Sequence, residues 1–263
     1  MNRIETTFAD LRGAGRKGLV PYVCGGWPSM SATREVLLGA DAAGASVVEV
    51  GLPFSDPIAD GPVIAAAMHE ALEAGVTPGG VMELIGEVRS SVRAGIVAMV
   101  SFSIVHRLGV QAFCREAARC GIDGLIVPDL SISEAPRLRD AAGEAGVCLT
   151  MLVAPTTSDA RAEAIVGACS GFVYLLSRVG ITGGQAGGPG AAIAENVARL
   201  RGMTDLPIAC GFGIATPDDV SMVTQHADAA IVGTALVRAM GDDAAGASER
   251  GLGLIGALAG GLG

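Results

Sequence analysis

The sequence predicts a single (β/α)8 TIM barrel, an α/β fold, with one extra helix at its N-terminus. Three observations predict it. Eight short apolar runs recur along the 263 residues. The runs are nearly continuous in apolar character rather than alternating, which suits parallel strands covered on both faces. Helix-like segments separate them, so a strand–helix unit returns about every 30 residues, and eight such units close naturally into a barrel.

In chain order the runs are LVPYVC (19–24), VVEVGL (47–52), IVAMVSF (96–102), GLIVPDL (124–130), CLTMLVAP (148–155), FVYLLS (172–177), PIACGFG (207–213) and AAIVGTA (229–235). Between them SMSATREVLLGADAAGA, VQAFCREAARC and PDDVSMVTQHA read as helices. Ser29, Ser31 and Thr216 are the expected helix starts, Gly44 and Gly121 the expected stops. The competing fold is an open, doubly wound sheet. No GxGxxG follows the first run, and no linker or shift in composition divides the chain, so one barrel domain over 1–263 is expected. The tail GLGLIGALAGGLG reads as a frayed end or a final helix.

Half of the residues are apolar but only 3% are aromatic, so Ala, Val, Leu and Ile build the core. The formal net charge is −9 and no basic run is present. A nucleic-acid partner is therefore not expected, because neutralising phosphates takes clustered Lys or Arg. No uncharged apolar stretch approaches the roughly 18 residues of a membrane span, and no signal-peptide core opens the chain. Six cysteines (Cys24, Cys114, Cys120, Cys148, Cys169, Cys210) form no CxxC pair, which fits the cytoplasm better than a disulfide framework.

The stretch VVEVGLPFSDPIADGP (47–62) carries the first functional signal. Glu49 lies inside an apolar run and shares a strand face with Val47 and Gly51, opposite Val48 and Val50. Near the C-terminal end of a barrel strand, an inward Glu belongs to the floor of the site. Apolar surroundings disfavour its ionised form and push its pKa toward the range useful for proton transfer. A structural Glu paired with an Arg is the plain alternative. The cost of a carboxylate in such a run favours the functional one. Asp56 and Asp60 follow in a loop stiffened by Pro53, Pro57 and Pro62, and spacing alone does not choose between them.

Glycine-bearing strand exits supply the second signal: GITGG (180–184), GFGI (211–214) and VGTA (232–235). In these barrels the loops after the seventh and eighth strands commonly bind phosphate through backbone N–H groups, which needs no Lys. The glycines of one such loop would mean only a tight turn; three together favour phosphate. The long loop SRVGITGGQAGGPGAA suggests a closing lid. His69 and His226 read as surface residues, His106 as weak evidence, Tyr174 as packing or pocket wall, and Trp27 as a rim residue.

These residues carry a resemblance. VEVGLPFSDPIADGP (48–62) resembles the signature of the tryptophan synthase alpha subunit family, and YLLSRVGITGG (174–184), GFGI (211–214) and VGTALV (232–237) are similar to its later segments. The likeness runs from Phe8 to about Arg238. It implies cleavage of indole-3-glycerol phosphate to indole and glyceraldehyde 3-phosphate without a cofactor, alongside a beta subunit in an alpha2beta2 assembly. It also implies residue roles. Glu49 becomes the proton carrier, Asp60 the acceptor of the indole N–H, and Thr182 the lid residue that closes onto that Asp. Tyr22, Tyr174 and Phe212 line the indole pocket; Gly183, Gly213, Gly233 and Thr234 hold phosphate; Asp56 faces the partner. The sequence departs from the family pattern at Ser101 and Ser103 after the third strand, at Ser131 after the fourth, and at Trp27. The loops at Ser103 and Ser131 are partner-facing in the family, so the departures bear on partner binding more than on chemistry. A stand-alone lyase releasing free indole and a catalytically weak paralogue acting as a binding partner are the alternatives. A Schiff-base aldolase is disfavoured, because no strand-end Lys is present.

Overall fold

The computed structural model describes residues 2–55, 57, 61–176, 188–211 and 213–263. Among them, nine strand segments form one parallel sheet: β1 (Gly18–Cys24), β2 (Val47–Gly51), β3 (Gly95–Met99), β4 (Gly124–Ile126), β5 (Cys148–Thr150), β6 (Leu152–Val153), β7 (Val173–Leu176), β8 (Ile208–Gly211) and β9 (Ala229–Val232). Their hydrogen-bonded order is β5-β4-β3-β2-β1-β9-β8-β7-β6. The two ends of that order, β5 and β6, are the halves of the fifth apolar run, parted only by Met151. The sheet therefore closes on itself as an eight-stranded barrel. Every residue of β1 to β5, β8 and β9 is buried, as strands covered on both faces require.

The helices are α1 (Arg3–Gly13), α2 (Met30–Gly39), α3 (Pro62–Glu73), α4 (Pro78–Val88), α5 (Phe102–Leu108), α6 (Val110–Arg119), α7 (Ala135–Glu144), α8 (Asp159–Ala168), α9 (Gly188–Arg201), α10 (Pro217–Thr224), α11 (Thr234–Met240) and α12 (Ala247–Ala259). Ser29 and Thr216 cap α2 and α10, accepting from the backbone N–H groups of Ala32 and Asp219. Ser31 does not start a helix; it lies within α2 and its hydroxyl donates to Glu35. Gly44 and Gly121 sit at φ +99° and +75°, the left-handed backbone expected past a helix end. The fourth run stops as a strand at Ile126, short of the expected 130. Pro128 lacks an N–H and restricts Val127, and Leu130 then donates to the Val127 carbonyl to close a turn. The C-terminal tail is helical, with Ile255 and Leu258 buried. Among the described residues no helix is long and apolar enough to cross a membrane.

The N-terminal helix plugs the bottom of the barrel. A Cβ at Gly95 would lie 2.9 Å from Ile4 Cγ1, and one at Gly124 2.7 Å from Ile4 Cδ1. Glycine at these strand starts thus makes room for the plug. Phe8 stacks on Phe172 at 5.5 Å between ring centroids. Asn2 fixes the helix twice over: its side-chain oxygen accepts from the N–H groups of Ile4 and Glu5, and its amide donates to the carbonyls of Asp123 and Gly146. Asn2→Ala is expected to cost about 1 kcal/mol of stability, as loss of an N-cap does. The check is a lower urea midpoint at unchanged m.

Cys114, Cys120, Cys148 and Cys169 are free thiols. Burial pushes Cys114 up to about 11 and Cys148 and Cys169 up to about 12, so these side chains act as small apolar packing groups.

Candidate active site

Strand register shows which side chains enter the barrel. Tyr22 pairs with Glu49, Glu49 with Val97, Val97 with Gly124, and Gly124 with Cys148. The Cβ position of Gly124 points at Ile4, Val97 and Cys148, so this row faces the plugged interior. Glu49 is therefore an inward side chain, and it is 1% exposed. The sequence-derived facing of β2 agrees.

Two tyrosines lean over glycines of neighbouring strands. A Cβ at Gly51 would overlap the Tyr22 hydroxyl and lie 2.7 Å from its Cζ. One at Gly211 would lie 2.8 Å from the Tyr174 hydroxyl. Only glycine leaves these seats open. The Cβ position of Gly233 lies 3.7 Å from Tyr22 Cβ and 3.4 Å from Ile64 Cδ1 of α3. Tyr22, Gly51 and Gly233 thus meet at one side of the interior, with Glu49 in register beside Tyr22; Tyr174 and Gly211 form a second seat on β7 and β8.

Gly213, Gly233 and Thr234, the described residues expected to hold phosphate, lie at the exits of β8 and β9. Gly213 adopts φ +79°, a backbone that a side chain would strain. Gly233 precedes α11, which begins at Thr234. Beyond Gly213, the α10 start is rigidly tied: Asp219 accepts from the backbone N–H groups of Ala215 (3.0 Å) and Thr216 (2.9 Å). Burial alone would raise the Asp219 pKa, but these N–H groups and the Thr216 contact outweigh it and hold the carboxyl below its usual range. Asp56, Asp60, Thr182, Gly183 and Phe212 lie outside the described residues.

The departures noted in the sequence have local explanations. The Ser101 hydroxyl donates to Asp129 Oδ2 at 2.7 Å and shares a hydrogen bond with Ser103 Oγ at 2.8 Å, and the Phe102 N–H donates to Asp129 Oδ1. This small network ties the loop after β3 to the one after β4. Ser131 bonds to Ser133. Trp27 is not a rim residue: it is 7% exposed, and its indole N–H donates to Glu70 of α3 at 2.7 Å. That bond joins the loop after β1 to the helix that carries Ile64. His69 and His226 are exposed, and so is His106, which sits beside Phe102 on α5.

Thr150 escaped the sequence reading. It stands two residues beyond Cys148 on the same inward face, is 0% exposed, and its hydroxyl has no hydrogen-bond partner among the described residues. A stranded hydroxyl costs about 1–3 kcal/mol. Thr150→Val is accordingly expected to raise stability by about 1 kcal/mol in urea unfolding; a lower midpoint would show that the hydroxyl is paired.

Residues 8–253 match the family model for the tryptophan synthase alpha chain. The tryptophan synthase alpha chain of Carboxydothermus hydrogenoformans is 43% identical over 239 residues, covering 90% of this chain and 88% of that protein. A chain of tryptophan synthase from M. tuberculosis superposes with a TM-score of 0.88 at 33% identity, covering 100% of both chains. Tryptophan synthase subunit alpha of Legionella pneumophila superposes at 0.91 with 28% identity, covering 100% of this chain and 98% of that one. With a match across most of its length in both sequence and structure, this chain belongs to the tryptophan synthase alpha chain family.

Proposed function

We propose that this chain cleaves indole-3-glycerol phosphate to indole and glyceraldehyde 3-phosphate by a retro-aldol reaction, as the alpha chain of tryptophan synthase in tryptophan biosynthesis. The observation that carries the reading is Glu49, a buried inward carboxyl in the barrel interior, register-paired with Tyr22 in a chain of this family.

Retro-aldol chemistry needs a proton moved between two atoms of one substrate. In this reading the protonated Glu49 carboxyl gives its proton to indole C3, breaking the ring's aromaticity and placing positive charge on the ring nitrogen. Asp60 accepts from that N–H and stabilises the charge. The Glu49 carboxylate then takes the proton of the side-chain hydroxyl as the bond between C3 and the hydroxyl-bearing carbon breaks. The hydroxyl carbon leaves as the aldehyde, indole regains its aromaticity, and Glu49 is again protonated. One residue acting in both directions needs no external acid or base.

Tyr22, Tyr174 and Phe212 line the indole pocket, the two described tyrosines supported by their glycine seats at Gly51 and Gly211. Gly183, Gly213, Gly233 and Thr234 hold the phosphate through backbone N–H groups, which suits a chain of net charge −9. Thr182 closes the lid onto Asp60. A beta subunit takes up the indole, docking on the face that carries Asp56, Ser103 and Ser131, and the cytoplasm is the site of action. The test is product analysis of indole-3-glycerol phosphate incubated with the purified chain and no added cofactor. Indole and glyceraldehyde 3-phosphate in equal amounts support the reading; absence of either overturns it.

A further inference from the structure

The far C-terminus packs against the start of the helix that follows Gly213. After α12 the chain makes a short 3-10 turn, Gly260–Leu262, anchored by buried Leu258 and by Leu262 against the core. A Cβ at Gly261 would overlap the carbonyl oxygen of Pro217 and lie 2.9 Å from its carbonyl carbon and 3.0 Å from its Cα. The contact is backbone on backbone, so Pro217 has no side-chain freedom with which to yield. No positive φ burdens Gly261, so an added methyl would act through this contact alone.

Pro217 is the first residue of α10, and the segment before it has little slack. Thr216 caps the helix by accepting from the Asp219 N–H at 3.2 Å. Asp219 in return holds the N–H groups of Ala215 and Thr216. Ile214 is buried, and Gly213 precedes it in the left-handed backbone. A push on Pro217, or loss of the surface behind it, therefore passes through a short, hydrogen-bonded turn to Gly213.

We propose that Gly261 is a positioning residue for substrate binding: it lets the terminal turn buttress Pro217 from behind, so that residues 213–216 keep the backbone that receives the substrate phosphate. The inference rests on the phosphate role proposed for Gly213. A methyl at 261 removes the buttress whether the terminal turn lifts away or Pro217 moves. The phosphate contacts are taken as shared by ground state and transition state, so their loss falls on KM rather than on kcat.

The test is steady-state cleavage of indole-3-glycerol phosphate by Gly261→Ala, with inorganic phosphate as competing ligand. The expected result is KM raised about tenfold, inhibition by phosphate weakened in parallel, and kcat within about twofold of the unsubstituted chain. Asp219→Ala cuts the same path one turn away, so its effect and that of Gly261→Ala are expected to combine less than additively. Leu262→Ala loosens the terminal turn without overlap and is expected to move KM the same way, which keeps the test open if Gly261→Ala folds poorly. Unchanged KM and phosphate inhibition in the Gly261→Ala or Leu262→Ala chain, or full additivity with Asp219→Ala, would overturn the proposal. Gly213→Ala separates the two levels. If it too leaves KM and phosphate inhibition unchanged, the phosphate reading itself is wrong; if it raises KM and weakens phosphate inhibition while Gly261→Ala does not, only the buttress fails.

Discussion

Glu49→Gln is expected to lower the rate of indole formation about a thousandfold, the scale on which a positioned acid/base contributes. Gln keeps the size and the hydrogen-bonding shape of the side chain but neither gives up nor takes a proton in the reaction. Because Glu49 is 1% exposed in a strand and Gln matches its size, exchanging the carboxyl for an amide is not expected to unfold the barrel. The variant should therefore retain the wild-type urea midpoint or exceed it, and inorganic phosphate should bind as before. A Glu49→Gln chain that still cleaves substrate at an appreciable rate would remove Glu49 from the mechanism. It would equally favour the alternative in which the chain serves only as a binding partner.

The second large effect is at the other end of the substrate. Gly213→Ala places a side chain on a backbone held at φ +79°, which costs about 1–2 kcal/mol, or about a tenfold change in an equilibrium. If the loop relaxes to relieve that strain, the N–H groups proposed to hold the phosphate are displaced as well, and KM is expected to rise by about tenfold to a hundredfold. Binding energy from the phosphate is shared by ground state and transition state, so kcat should change little. A variant whose kcat falls while KM holds would contradict the assignment and place residue 213 in the chemistry instead.

How much of this was legible in the sequence depended on whether the signal lay within one strand or across several. Glu49 was legible because a carboxylate in an apolar run is costly wherever the run folds, and the face it shares with Val47 and Gly51 follows from strand alternation alone. The barrel was legible for the same kind of reason, since parallel strands covered on both faces leave continuous apolar runs. The Tyr22 and Tyr174 seats at Gly51 and Gly211 were not, because each glycine matters only for the neighbour that leans across it. Trp27 was misplaced as a rim residue because its partner, Glu70, lies on a helix that the sequence does not tie to the first loop. A Thr such as Thr150 is ordinary in a strand, and only the closed barrel shows that its hydroxyl meets no partner among the described residues. The break at Met151 and the early end of β4 at Ile126 reflect local pairing and Pro128, which the apolar pattern of the runs overrode. Asp56 and Asp60 were separated only by resemblance to the family, not by physics.

The Ser101–Ser103–Asp129 network bears on the partner. It ties together the two loops at which the sequence departs from the family, so these loops are internally braced rather than merely shortened of their usual side chains. The Trp27–Glu70 bond braces a third segment at the same end of the barrel. Such bracing is compatible with docking that needs little rearrangement of this face.

The most direct measurement is the rate of indole formation from indole-3-glycerol phosphate by the purified chain, taken alone and then with a tryptophan synthase beta subunit. An alpha chain is predicted to turn over slowly alone and faster with its partner. A high rate that the partner leaves unchanged would contradict the account and identify a stand-alone lyase.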